Sequence, residues 1–276
     1  MSRSIVRSTV AALGLVTLTP AMASAQIASG DWGAISGSVA GMTDYVFRGV
    51  SQTTKGPAVQ GAIEYTKEVG PVTPYAGLFA SNVKFPDTSS RGNLDAKYEL
   101  DVMAGLRGDV AEKLKWDVGY IRYMYPGTQY PPANSMSLDW AEIGVKLTYD
   151  LGFATPVANY FHSPNYSVGG GKGHYFQTGV DVPLPWYDIT FSGRIGRLLV
   201  ANNANLGLPD YTDWNLGIAR DFPELLGVNI ALTYTDTNVK KNAHLSNNSD
   251  STTGTIDERV YDTTTPRIVL AVTKKF

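Results

Sequence analysis

Apolar and polar positions alternate along most of this chain. Val59, Ile63 and Tyr65 share one face of a strand, with Gln60 and Glu64 on the other. Tyr98, Leu100, Val102, Ala104 and Leu106 oppose Glu99, Asp101 and Arg107. Ala141, Ile143, Val145, Leu147 and Tyr149 oppose Glu142, Lys146 and Thr148. Ile189, Phe191 and Ile195 oppose Thr190, Ser192 and Arg194, and Val228 to Tyr234 alternate in the same way against Asn229 and Thr233. At the end, Ile268, Leu270, Val272 and Phe276 share a face that only Lys274 interrupts; Arg267, Thr273 and Lys275 lie opposite, beside the smaller Val269 and Ala271. A period of two is the mark of a strand with unlike faces. It predicts twelve strands near 33–46, 58–68, 72–82, 96–107, 113–124, 137–149, 153–162, 174–183, 187–199, 211–221, 227–236 and 266–276. The segments near 75–82 and 153–162 are ambiguous in facing. No helical segment of useful length is expected.

Alternation alone would also suit a soluble sheet with one face on a core. The connections decide. Those after even-numbered strands are short: 69–71, 108–112, 150–152, 184–186 and 222–226. Those after odd-numbered strands are longer and polar, as at 85–95, 127–136, 168–173, 201–210 and 237–265. Short turns at one end and long loops at the other are expected of an outer-membrane barrel. In lipid every backbone N–H and C=O must be paired within the protein, so the first strand must close on the last. The expected fold is all-β: a single transmembrane antiparallel up-and-down β-barrel of about 12 strands. The long loops then face outward and the short turns face the periplasm.

The first residues read as a secretory leader. Arg3 and Arg7 precede a short apolar stretch, Val10 to Leu18, and Ala23-Ser24-Ala25 is an A-x-A site. Residues 1–25 are therefore expected to be removed, leaving 26–276 as the barrel. The leader carries two arginines and no acid, so its loss takes the formal charge from −2 to −4. That mildly acidic balance argues against nucleic acid as a partner. No run approaches the roughly 18 apolar residues of a membrane helix. There is no cysteine, which removes thiolate zinc sites and thiol nucleophiles.

At residues 43–52 the chain reads Thr-Asp-Tyr-Val-Phe-Arg-Gly-Val-Ser-Gln. With this run it resembles the TorF family of porin-like proteins, also known as the Gcw_chp family of exported bacterial proteins of unknown function. Asp117-Val118-Gly119-Tyr120, leading to Tyr125-Pro126-Gly127, and Ser163-Pro164-Asn165-Tyr166 add weaker similarity. The likeness runs from about residue 33 to the end. It implies an outer-membrane barrel and a pore, with no established substrate and no catalytic or binding residues to carry over.

The alternation places Glu64, Glu99, Asp101, Arg107, Lys115, Asp117, Glu142, Lys146, Arg194, Arg267 and Lys275 on the lumen face. Rings of like charge would select ions; this mixed set would not, and its members can instead pair across strands. Arg48 either sets a constriction with Asp44 or, with Gly49 supplying a turn, anchors a loop to a carboxylate. Trp116, Tyr120, Trp140, Tyr149, Trp186, Tyr187, Trp214 and Phe276 are expected to form interface girdles. Phe276, ending the last strand, is the expected assembly signal read by the barrel-insertion machinery.

His162 with Ser163, or His174 with Ser167, could be arranged as a hydrolase pair, yet such coincidences are common in polar loops. Gly169 to Gly173 lacks the context of a phosphate loop and reads as a flexible hairpin tip. Asn247 to Thr255, with Asp250, lacks the regular acid spacing of a calcium loop and reads as a disordered loop. No catalytic residue, cofactor or metal ligand is assigned. The expected function is passive diffusion of small polar solutes or ions. The alternatives are a non-conducting barrel with a structural or adhesive role, and an outer-membrane hydrolase. The sequence leaves oligomeric state open.

Overall fold

Short turns join neighbouring antiparallel strands, and branched and aromatic residues favour the extended backbone between them. In the computed structural model, which describes residues 27–86, 96–128, 137–185, 187–225, 227–247 and 251–276 (251–253 by backbone alone), they close into one ring. The expected leader, Trp186, Asp250 and most of the loops at 85–95 and 127–136 lie outside the described residues.

Twelve strands make the barrel. They are β1 (Gly33–Met42), β2 (Ala58–Thr66), β3 (Val72–Asn82), β4 (Tyr98–Ala111), β5 (Leu114–Met124), β6 (Trp140–Tyr149), β7 (Thr155–Tyr166), β8 (Gly171–Pro183), β9 (Ile189–Val200), β10 (Tyr211–Phe222), β11 (Val228–Thr237) and β12 (Arg267–Lys275). Each pairs antiparallel with its sequence neighbours. The ring closes where β1 meets β12, with Met42 opposite Ala271 and Ser38 opposite Lys275. Phe276 extends the seam: its N–H donates to the Gly37 carbonyl at 2.8 Å, and its own carbonyl accepts from Gly37 N–H at 3.1 Å. The seam leaves no open sheet edge, as lipid requires.

The faces sort by chemistry. Val59, Ile63, Leu78, Val102, Ile143 and Ile268 point outward and are exposed. An exposed apolar belt of this kind would be a liability in water and suits lipid. Among the described residues no helix is long and apolar enough to cross a membrane.

The structure departs from the sequence reading at three connections. The first strand stops at Met42, because residues 43–57 turn into the barrel instead of continuing outward. The connection after the seventh strand is only residues 167–170, since β7 and β8 stay paired up to Tyr166 and Gly171. Its tip is a packed 3-10 turn with Val168 buried, rather than a flexible glycine loop. In line with the expectation of no helix of useful length, the two described helices, α1 (Asn203–Leu206) and α2 (Glu258–Asp262), have four and five residues. The described residues of the segment read as disordered, Asn247 and Ser251–Thr255, belong to a hairpin of His244–Asn247 against Ser251–Thr255.

Candidate functional site

The run that interrupts the alternation after β1 builds the site. Val46–Phe47 pairs with Val50–Ser51, and Arg48 and Gly49 form the two-residue turn. Both turn residues have positive φ, 49° and 78°. Two-residue hairpins favour this mirror-image turn, usually with Asn-Gly or Asp-Gly. A β-carbon on Gly49 would lie 2.6 Å from Thr237 Cγ2 and 2.8 Å from Asp213 Cβ, so the turn is seated against the wall formed by β10 and β11. Arg48 in the left-handed region costs about 1–2 kcal/mol, which its contacts must offset.

Asp44 ties the base of the hairpin. It accepts from Ser51 Oγ at 2.6 Å, Thr53 Oγ1 at 2.8 Å and Arg267 of β12 at 3.2 Å. Tyr45 donates to Glu99 at 2.7 Å, and Tyr125 donates to the other Glu99 oxygen at 2.8 Å. Burial, then the Glu99 charge, raises the pKa of both phenols well above the ordinary value, so both remain donors.

At the tip, Arg48 Nη2 donates to both Glu142 oxygens, at 2.8 and 2.9 Å. Its guanidinium carbon lies 4.2 Å from the Tyr175 ring centroid, 4.6 Å from Phe47, 5.2 Å from Phe161 and 5.9 Å from Trp140. Tyr211 donates to the Arg48 carbonyl at 2.8 Å. Burial is the largest single influence and works against the charge, but Glu142 together with Tyr166, Tyr123 and Tyr175 outweighs it, so the arginine pKa is raised. A planar guanidinium suits this place: it takes a carboxylate through its edge and aromatic rings on its faces. The result is a cross-linked layer of buried side chains across the long-loop end of the lumen.

Toward the short-turn end the interior is polar. Arg107 on β4 binds Glu64 on β2, reaching across β3. Arg194 on β9 holds Asp181 on β8 through both oxygens, at 2.7 and 2.8 Å. Tyr75 donates to Asp117 at 2.8 Å. Inward positions such as Ser38, Gln60, Arg107, Lys146, Gln177 and Asn215 are only partly buried.

The expected lumen residues Glu64, Glu99, Asp101, Arg107, Asp117, Glu142, Lys146, Arg194, Arg267 and Lys275 lie on the inward positions of their strands, and Asp44 and Arg48 join them from the hairpin. Of the two readings of Arg48, the structure has the anchored turn: Arg48 holds a carboxylate, Glu142, while Asp44 takes Arg267. Lys115 is exposed and pairs with Asp109 at the rim. Asp101 is fully buried, and neither of its oxygens has a partner among the described residues.

Trp140 corrects the girdle expectation. It is 4% exposed and lies inside the barrel, stacked on Tyr123 (4.3 Å) and against a tilted Tyr166 (4.2 Å). It lies two residues before Glu142, so the alternation places both on one face. Sequence reasoning also missed the inward acids Asp181 and Asp213, the latter accepting from Tyr175 at 3.0 and 3.1 Å. The hydrolase pairs are not assembled. Ser163 is buried on the inward side while His162 stacks on His174, and Ser167 donates to the Leu138 carbonyl.

Comparison with solved structures finds the same kind of barrel. A Pseudomonas aeruginosa FadL homologue superposes with TM-score 0.51 at 12% identity, covering 90% of this chain and 76% of that one. The NanC porin gives 0.49 at 9%, covering 86% and 97%. LpxR from Salmonella typhimurium gives 0.43 at 9%, covering 87% and 99%. At such identities the likeness is one of fold. No protein of curated function matches. Residues 25–276 match a family described as "Bacterial protein of unknown function (Gcw_chp)".

Proposed function

The chain belongs to the Gcw_chp family, and we propose that it is an outer-membrane channel for small polar solutes or ions, narrowed from its outer end by the Arg48 hairpin. In this reading the belt of outward residues sits in lipid, the long loops face outside, and β12 with Phe276 is the segment presented to the insertion machinery. One observation carries the proposal. Closure is local: side chains interlock at the hairpin layer, while mixed polar positions below it remain partly open. A small solute would move among paired charges such as Glu64–Arg107 and Asp181–Arg194, which offer hydrogen bonds without a net field of one sign.

A non-conducting barrel is the second reading. The burial of Glu64, Asp117, Asp181 and Arg194 below the hairpin favours it, because a wide aqueous lumen would expose them. Planar-bilayer recording of the purified, heat-modifiable protein distinguishes the two. The channel reading expects small ohmic steps, and folded protein that inserts without ever conducting would defeat it.

A further inference from the structure

Beside the hairpin, at the long-loop end, lies a cavity of about 120 Å³. The hairpin contributes Phe47 and Val50, the wall contributes Trp140 and Leu198, and the long connections contribute Leu208 and Val260. Among the described residues no charged side chain lines it. Most of its polar side-chain donors are already used. Ser51 Oγ donates to Asp44, Ser167 Oγ to the Leu138 carbonyl, and Thr263 Oγ1 to the Val260 carbonyl. Tyr125 and Tyr211 donate to Glu99 and the Arg48 carbonyl, and Gln52 Nε2 donates to the Val50 carbonyl.

A polar guest would lose water and find these donors taken, at a cost of about 1–3 kcal/mol for each unmet group. An apolar guest gives up no hydrogen bond and gains buried area. Size sets the second limit: an apolar cavity of roughly 150 Å³ holds benzene or xenon. We infer that this cavity is a binding site for a small apolar molecule of about one six-membered ring, held against the Arg48 hairpin. The site does not depend on whether the barrel conducts.

The test uses the full-length mature protein in lipid nanodiscs, with labelled Leu and Val methyl groups, titrated with toluene. The methyls of Leu198, Leu208 and Val260 should shift along a saturable one-site curve. Lipid-facing methyls of Leu78 and Leu106 should respond linearly, because they report partition into the bilayer. Leu208→Trp fills the cavity and should weaken the saturable phase by at least roughly tenfold; Val260→Phe replaces it if the first variant does not fold. A linear response at the cavity methyls of the parent protein would overturn the assignment. Saturable binding unchanged in a folded, cavity-filled variant would also overturn it.

Discussion

Arg48 and Glu142, 94 positions apart, meet inside the barrel through two hydrogen bonds of 2.8 and 2.9 Å. Both side chains are almost fully buried, 6% and 2% exposed. Breaking one side of such a pair leaves a charge stranded away from water, which costs about 3–5 kcal/mol. Arg48→Met and Glu142→Met should each lower stability on that scale in urea unfolding from lipid vesicles. Removing both, as Arg48→Met with Glu142→Met, should restore much of the loss. Additive single effects would mean that the two residues do not act as a pair.

The turn itself is a second point of failure. Gly49→Ala adds a methyl to a left-handed residue with wall atoms 2.6 and 2.8 Å away. It should release the hairpin, read as new proteolytic cleavage within residues 43–57. Gly70→Ala, at φ 61° with nothing nearby, pays only the backbone penalty and should leave that segment protected. Equal protection in the two variants would contradict the seating of the turn.

Arg48 and Glu142 also show where sequence reasoning stops. The strand pattern is local, so period two exposed the strands, their order and the facing of Glu64, Glu99 and Glu142. It failed at 75–82 because Tyr75 and Phe79 point inward while Leu78 points outward, which makes both faces apolar. It should have placed Trp140 inside, and the expectation of girdles overrode it. The hairpin was half visible: Arg48-Gly49 suggested a turn, but a partner on β6 leaves no trace in the local pattern.

The orientation of the barrel is testable by labelling. Lys240 lies in a long connection and Asp150 in a short turn. In this naturally cysteine-free chain, Lys240→Cys should react with an impermeant maleimide on intact cells, and Asp150→Cys should not. The reverse pattern would invert the topology.

The phenols of Tyr45 and Tyr125 give a pH prediction. Their folded pKa values are raised above the ordinary value of about 10. The stability linked to them is therefore complete below about pH 10 and is lost as pH rises toward their folded values. Absorbance of tyrosinate should show a fraction that ionises only as the heat-modifiable fold disappears. Ionisation of every tyrosine near pH 10 in a still-folded barrel would contradict their burial beside Glu99.

The account turns on whether the hairpin is what narrows the lumen, and single-channel conductance of the parent protein against Gly49→Ala measures this most directly. With the hairpin released, the layer formed by Arg48, Glu142 and the surrounding rings no longer spans the lumen, while the strands and the polar region below remain. The account predicts larger steps in the variant than in the parent, still ohmic, at equal insertion. A folded variant with a cleavable hairpin and unchanged conductance, or with none, would contradict it.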